Sequence, residues 1–194
     1  MMKSASPAKD KMNYHTHKIL DDNDIVALKD YASQIDWEVV FQDYNLFHLK
    51  RYDTKTDPIS AAYKKIADYA SRVGACDTGF GAYFLKYEEG SFTRMHKDNE
   101  SRLTIVTMVD QSDDLVGGDA IVREEYRSPE GGRDSTQKCV RADYEKDRPP
   151  YGQEIIMDVV PVEDGESLIY GNDLDHAVGR VRSGQRIVLI TWFR

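Results

Sequence analysis

From Gly79 onward the chain is a succession of short apolar runs, each ended by polar or turn-forming residues. The runs are "GAYFLKYEE", "RLTIVTMVD", "DAIVRE", "EIIMDVVPV", "ESLIYG", "HAVGRVR" and "RIVLITWF". Runs of this length, rich in Val, Ile, Tyr and Thr, read as strands. In the first, Tyr83, Leu85 and Tyr87 share one face, because side chains alternate along extended backbone. "EDGE" between the fourth and fifth is a turn signal. With "WEVVF" at 37–41, the chain carries about eight strands. So many short strands must bury a sheet face against another layer. The fold class is therefore α+β, with a C-terminal sandwich, jelly roll or barrel.

The N-terminal part supplies helices. "DDNDIVALKDYASQI" places Ile25, Leu28, Ala32 and Ile35 on one face, with Asp22, Asn23 or Asp24 as the cap. "ISAAYKKIADYASRVG" follows Pro58 and closes at Gly74. Its stripe is Ile59, Ala62, Tyr63, Ile66, Tyr69 and Ala70. Residues 1–13 read as a disordered tail, and 14–194 as one domain, helical to about 78 and β from 79. The polar stretch 125–152 and the loop 42–58 are expected to be lids. A formal charge of −8 argues against a nucleic-acid backbone as partner. No apolar run approaches a membrane span and no signal peptide is evident, which suggests a cytoplasmic protein. Cys76 and Cys139, the two cysteines, form no framework, and their pairing stays open.

Two polar insertions in apolar surroundings carry the chemistry. "MHKDNESRLTIV" sets His96 and Asp98 one residue apart, able to point the same way from extended backbone. "DLDHAVGRVRSGQRIVLITWF" supplies His176 and, ten residues on, Arg186 at the head of a core-like strand. Two imidazoles and one carboxylate can hold Fe(II) on one face of an octahedron and leave three positions open. His-X-Asp by itself arises easily by chance, and His96 alone reads as an exposed loop residue. Arg186 adds weight. A guanidinium is costly to bury unpaired, and its own strand holds no acid, so a dicarboxylate ligand would suit it. The alternative is an exposed strand end.

Gly81 to Arg194 resembles the catalytic domain of prolyl 4-hydroxylase-like 2-oxoglutarate- and Fe(II)-dependent dioxygenases. The resemblance is carried in order by "YEEGSFTRMHKD", "RLTIVTMVD", "GGD", "PVEDGESLIY", "LDHAV", "GQR" and "TWF". It implies a double-stranded β-helix (jelly roll) core supported by the N-terminal helices. It implies that His96, Asp98 and His176 bind Fe(II) and that Arg186 binds the distal carboxylate of 2-oxoglutarate. Tyr87 would face the cosubstrate, with Tyr83 beside it. Thr107 stands where the family often has a strand-end Tyr, and Thr191 near the family's Thr beyond the basic residue; both are carried as cosubstrate-binding candidates. Thr93 replaces the aromatic residue common before His-X-Asp.

The implied activity is hydroxylation of a prolyl residue in a peptide or protein, using O₂, converting 2-oxoglutarate to succinate and CO₂, with ascorbate as a candidate auxiliary reductant. The rivals are a hydroxylase of a free amino acid or other small molecule, a nucleic-acid demethylase, a zinc cupin, and a non-catalytic jelly-roll binding module. A demethylase is expected to carry a second arginine six residues past the first, where this chain has Trp192. "HTH" at His15 and His17 reads as solvated tail, His48 as a strand or loop residue, and Trp37 and Trp192 as core. The oligomeric state is not legible.

Overall fold

The computed structural model describes residues 14–42, 45–55, 57, 59–74, 79–126 and 154–194. In chain order these form β1 (Tyr14–His17), α1 (Asp22–Ser33), β2 (Glu38–Gln42), β3 (Asn45–Arg51), α2 (Ser60–Arg72), β4 (Gly79–Glu88), β5 (Thr93–His96) and β6 (Leu103–Gln111). Then come β7 (Val116–Gly117), β8 (Ala120–Tyr126), β9 (Glu154–Val160), β10 (Ser167–Gly171), β11 (Asp175–Val178), β12 (Val181–Ser183) and β13 (Gln185–Phe193). A seven-stranded sheet runs β1-β10-β6-β13-β4-β3-β2, a four-stranded sheet β5-β11-β8-β9, and β12 pairs with β7. The neighbours pair antiparallel throughout. This is a jelly roll with helices on its larger sheet.

Period-two alternation divides the large sheet between two cores. Ile187, Leu189 and Phe193 of β13, Ile105 and Val109 of β6, and Phe84 of β4 pack against Leu28, Ile66 and Ala70 of the helices. The intervening residues Val188, Met108 and Tyr87 pack on the other face with Val181. Ala120, Val122 and Val160 of the small sheet meet Leu168 and Tyr170 of β10. Burying each large side chain contributes about 1.5–3 kcal/mol, so a strand slipped by one residue would forfeit both faces at once.

Helix α1 starts at a capping box. Asp21 accepts from the Asp24 amide, and the Asp24 carboxylate accepts from the Asp21 amide, each at 3.0 Å. The cap is thus Asp21, one residue before the expected trio, because its carboxylate reaches the amide three residues on. Lys65 of α2 bridges both acids at 2.8 and 2.7 Å. Helix α2 buries Ala62, Ile66 and Ala70 as its spacing predicts. It ends before Gly74, whose φ of +90° suits glycine.

The region before Gly79 supplies strands as well as helices. Tyr14–His17 pairs with Tyr170–Ser167, so His15 and His17 sit on an edge strand and not in a solvated tail. The His15 ring is 3.0 Å from the Tyr69 hydroxyl, and His17 stacks on Tyr69 at 5.2 Å. Seven residues of the expected 42–58 loop, Asn45–Arg51, form β3. Its Phe47 packs near Tyr87 and its Leu49 lies opposite Leu85, an inward alternation that the intervening polar residues mask. His48 of β3 faces Glu88 at 2.9 Å. "HAVGRVR" divides into β11 and β12. The tail 1–13, Cys76, Cys139 and the 125–152 lid lie outside the described residues, except Glu125 and Tyr126, which end β8. Among the described residues no helix is long and apolar enough to cross a membrane.

Candidate metal centre

Strand β11 lies between β5 and β8, and its register sets His176 directly opposite His96. Residues directly opposite share a face, so both rings point into the space between the sheets. The turn after β5 folds Asp98 back beneath them, held where the Ser101 amide donates to the Asp98 carbonyl at 3.1 Å. One ligand atom from each of His96, Asp98 and His176 falls within 4.8 Å of the others. His96 Nε2 is 3.7 Å from Asp98 Oδ1, and His176 Nε2 is 3.7 Å from Asp98 Oδ2.

The protonation pattern suits ligation. His96 Nδ1 lies 2.8 Å from the Arg94 carbonyl, and His176 Nδ1 3.1 Å from the Leu174 carbonyl. A carbonyl only accepts, so each Nδ1 donates and Nε2 is the atom each ring turns toward Asp98. Burial, and after it the neighbouring His96, hold the His176 pKa below the ordinary imidazole value. The ring is therefore neutral at pH 7. The side chains of His176 and Asp98 are 11% and 9% exposed and that of His96 is 43%, so the centre opens on the His96 side.

Arg186 is buried at 4% exposure, on the same face as Val188 and Trp192. Its Nη1 donates to the Gly118 carbonyl, its guanidinium lies 5.8 Å from the Tyr87 ring, and its buried Nε has no hydrogen-bond partner among the described residues. Burial pulls its pKa below the usual value, while Tyr87 and Asp119 oppose that. Among the described residues no carboxylate forms an ion pair with it, and a buried cation with a donor unspent fits an acidic ligand. Gly118, with φ +71°, lets it lie there: a Cβ on Gly118 would stand 2.9 Å from Val181 Cγ2 and 3.3 Å from Arg186 Cδ.

Tyr87 is buried and shares a 2.9 Å hydrogen bond with the Thr93 hydroxyl. Burial raises its pKa, the Thr93 hydrogen bond and Arg186 oppose that, and Asp98 adds to it. Tyr83 is on the same face, edge-on to Trp192 with ring centroids 5.3 Å apart. Thr107 and Thr191 do not join the site. Both belong to the helix-facing alternation, in register with Leu189 and Ile105. Thr107 bonds Ser167 at 2.8 Å and Thr191 donates to the Ile105 carbonyl at 3.2 Å, so their hydroxyls are satisfied on the opposite side of the sheet.

Three residues at the centre escaped the sequence reading. Asp98 Oδ2 accepts from Thr104 Oγ1 at 2.8 Å, Trp192 Nε1 at 3.1 Å and the Tyr170 hydroxyl at 3.3 Å. Parity could have found Trp192, six residues past Arg186 and hence on its face; nothing local marks Thr104 or Tyr170.

Solved structures resemble this one throughout. A Pseudomonas putida prolyl-4-hydroxylase matches with TM-score 0.66 and 14% identity, over 95% of this chain and 93% of that one. A non-heme alpha ketoglutarate dependent carbocyclase from nogalamycin biosynthesis, SnoK, matches with TM-score 0.65 and 15% identity, over 93% and 79%. The fold is that of the 2-oxoglutarate- and iron(II)-dependent oxygenases. HygX from Streptomyces hygroscopicus, solved with nickel, 2-oxoglutarate and hygromycin B bound, shares it with TM-score 0.64 and 11% identity, over 95% and 83%. No protein-family model matches the sequence, and no curated protein does. The oxygenase fold therefore rests on shape, and the His-Asp-His centre on this chain's own geometry.

Proposed function

We propose that this chain is a 2-oxoglutarate- and iron(II)-dependent dioxygenase that hydroxylates a prolyl residue of a peptide or protein. One observation carries the reading: two imidazole nitrogens and a carboxylate oxygen converge at a point, and a buried guanidinium whose Nε has no hydrogen-bond partner among the described residues lies on the neighbouring sheet face. His96, Asp98 and His176 would hold the metal. Arg186 would hold the distal carboxylate of 2-oxoglutarate, with Tyr87 beside it. When bound, iron(II) and 2-oxoglutarate supply the chemistry that uses O₂ to hydroxylate an unactivated C–H bond, releasing succinate and CO₂. The chain's own contribution is to orient both groups and exclude water from Arg186.

Phe80 stacks on Trp192 at 6.3 Å and Tyr83 packs edge-on to it, an aromatic cluster around the residue that reaches Asp98 and one suited to a pyrrolidine ring. A small-molecule substrate is the second reading, favoured by the likeness to SnoK and HygX. The deciding experiment supplies Fe(II), ascorbate and 2-oxoglutarate with a panel of proline-containing peptides, free proline and other small molecules. Succinate and a product heavier by one oxygen are measured. Peptide-dependent turnover with the added oxygen on proline is expected. Turnover only with free small molecules would replace the substrate assignment, and no succinate from metal-loaded protein would leave a binding module.

Gly118→Ala tests the seat of Arg186. The φ of +71° strains any L side chain by roughly 1–2 kcal/mol, and the added methyl crowds Arg186 Cδ. The KM for 2-oxoglutarate is expected to rise about tenfold, with metal affinity unchanged.

A further inference from the structure

The donors to Asp98 come from one cross-strand row. On the large sheet the register sets Tyr14 opposite Tyr170, Tyr170 opposite Thr104, Thr104 opposite Trp192, and Trp192 opposite Gly81. On the small sheet a second row runs His96, His176, Val122, Asp158. The Tyr14 hydroxyl donates to Asp158 Oδ2 at 3.0 Å and ties the rows together at one end. Asp98 lies between the rows at the other end. Thr104, Tyr170 and Trp192, on three neighbouring strands, all aim at its Oδ2, whereas among the described residues no hydrogen-bond donor reaches Oδ1.

We propose that Thr104, Tyr170 and Trp192 are positioning residues that saturate Asp98 Oδ2 and so fix Asp98 as a one-oxygen ligand acting through Oδ1. The proposal rests on the metal-binding reading above. A carboxylate free to turn can bind a metal through both oxygens and so take a position that a bound cosubstrate needs. With three donors on Oδ2, that turn would strand buried hydrogen-bonding groups at about 1–3 kcal/mol each. Tyr170 acts on a second ligand too: its ring lies 4.5 Å from the His176 imidazole, tilted by 46°, which restricts the imidazole's rotation. Thr104 is itself steadied by Ser101, the hydroxyls being 3.0 Å apart. Gly81 completes the row by having no side chain: a Cβ there would stand 2.8 Å from the Trp192 ring.

The test uses Co(II) alone as the probe on the full chain, with affinity measured by calorimetry and Tm measured on metal-free protein. Tyr170→Phe, Thr104→Val and Trp192→Phe each delete one donor and keep most of the shape, while Thr104→Ser keeps the hydroxyl. Loss of an outer-shell partner costs about 10–100-fold in metal affinity. The three deletions are each expected to weaken Co(II) about tenfold with metal-free Tm little changed, and Thr104→Ser to bind as wild type. Co(II) binding within twofold of wild type in all three deletions would overturn the proposal. So would a loss that follows Tm, with Thr104→Ser no better than Thr104→Val. If Tyr170→Phe fails to fold, the Thr104 pair decides alone. A wild-type chain that binds no Co(II) would remove the metal-site reading itself, a result distinct from variants that bind as wild type does.

Discussion

Arg186→Met is expected to raise the KM for 2-oxoglutarate by at least about a hundredfold, while the metal-free protein stays as stable as before. A guanidinium gripping a carboxylate makes charge-assisted hydrogen bonds worth about 1.5–3 kcal/mol each. Losing two of them gives a factor of a hundred or more. The stability side has the opposite sign from an ordinary core truncation. Among the described residues, Arg186 is a buried cation whose Nε has no hydrogen-bond partner and whose Nη1 donates to the neutral Gly118 carbonyl. Replacing a buried ion by an apolar side chain of similar volume is commonly neutral or stabilising. Stranding the Gly118 carbonyl costs about 1–3 kcal/mol and offsets much of that gain. Arg186→Lys is expected to fall between, since an ammonium lacks the planar fork. Cosubstrate titration into Ni(II)-loaded protein and calorimetric melting together check this. Unchanged 2-oxoglutarate affinity would remove Arg186 from the cosubstrate site, and a Tm fall of more than about 10 °C would make it a structural residue.

The site was legible where it is local and hidden where it is made by register. His96 and Asp98 stand one residue apart, and Arg186 is an ion at the head of an apolar run; both show in a single stretch of chain. That His176 lands opposite His96 depends on which strands pair, a long-range choice fixed by the sheets and not by either segment. Thr104 and Tyr170 read as ordinary strand residues because their role exists only once β10 and β6 align. The errors at Thr107 and Thr191 have a different origin. Counting positions against a motif ignores face: Thr191 lies five residues past Arg186, an odd step that places it on the helix side. Strand β3 reads as part of a loop because "HLKRY" breaks the apolar pattern just where the strand nears its end, whereas its partner β2 shows in "WEVVF".

Asp98→Asn is expected to reduce divalent-metal affinity by at least about a hundredfold, more than the loss of one charge alone would do. An amide carries one accepting oxygen and one donating nitrogen, and its surroundings choose which goes where. At Oδ2 stand two hydroxyls and the Trp192 indole N–H. The hydroxyls can rotate to accept, but the indole N–H only donates. It therefore holds the amide oxygen on its own side and turns the NH₂ toward the point shared with His96 and His176. That group has no lone pair for a metal, and its hydrogens face His96 Nε2, which lies 3.7 Å from the Oδ1 position. The metal-free protein should keep its stability within about 1 kcal/mol, because the hydrogen bonds at Oδ2 persist in weaker, neutral form. The orientation argument has its own signature. In a Trp192→Phe background the amide is free to turn its oxygen inward, so Asp98→Asn should cost distinctly less there than in the wild type. A double-mutant cycle on Co(II) affinity measures that difference. Additive losses would show that the indole does not orient residue 98, and an Asp98→Asn protein that keeps its metal within tenfold would remove Asp98 from the ligand set.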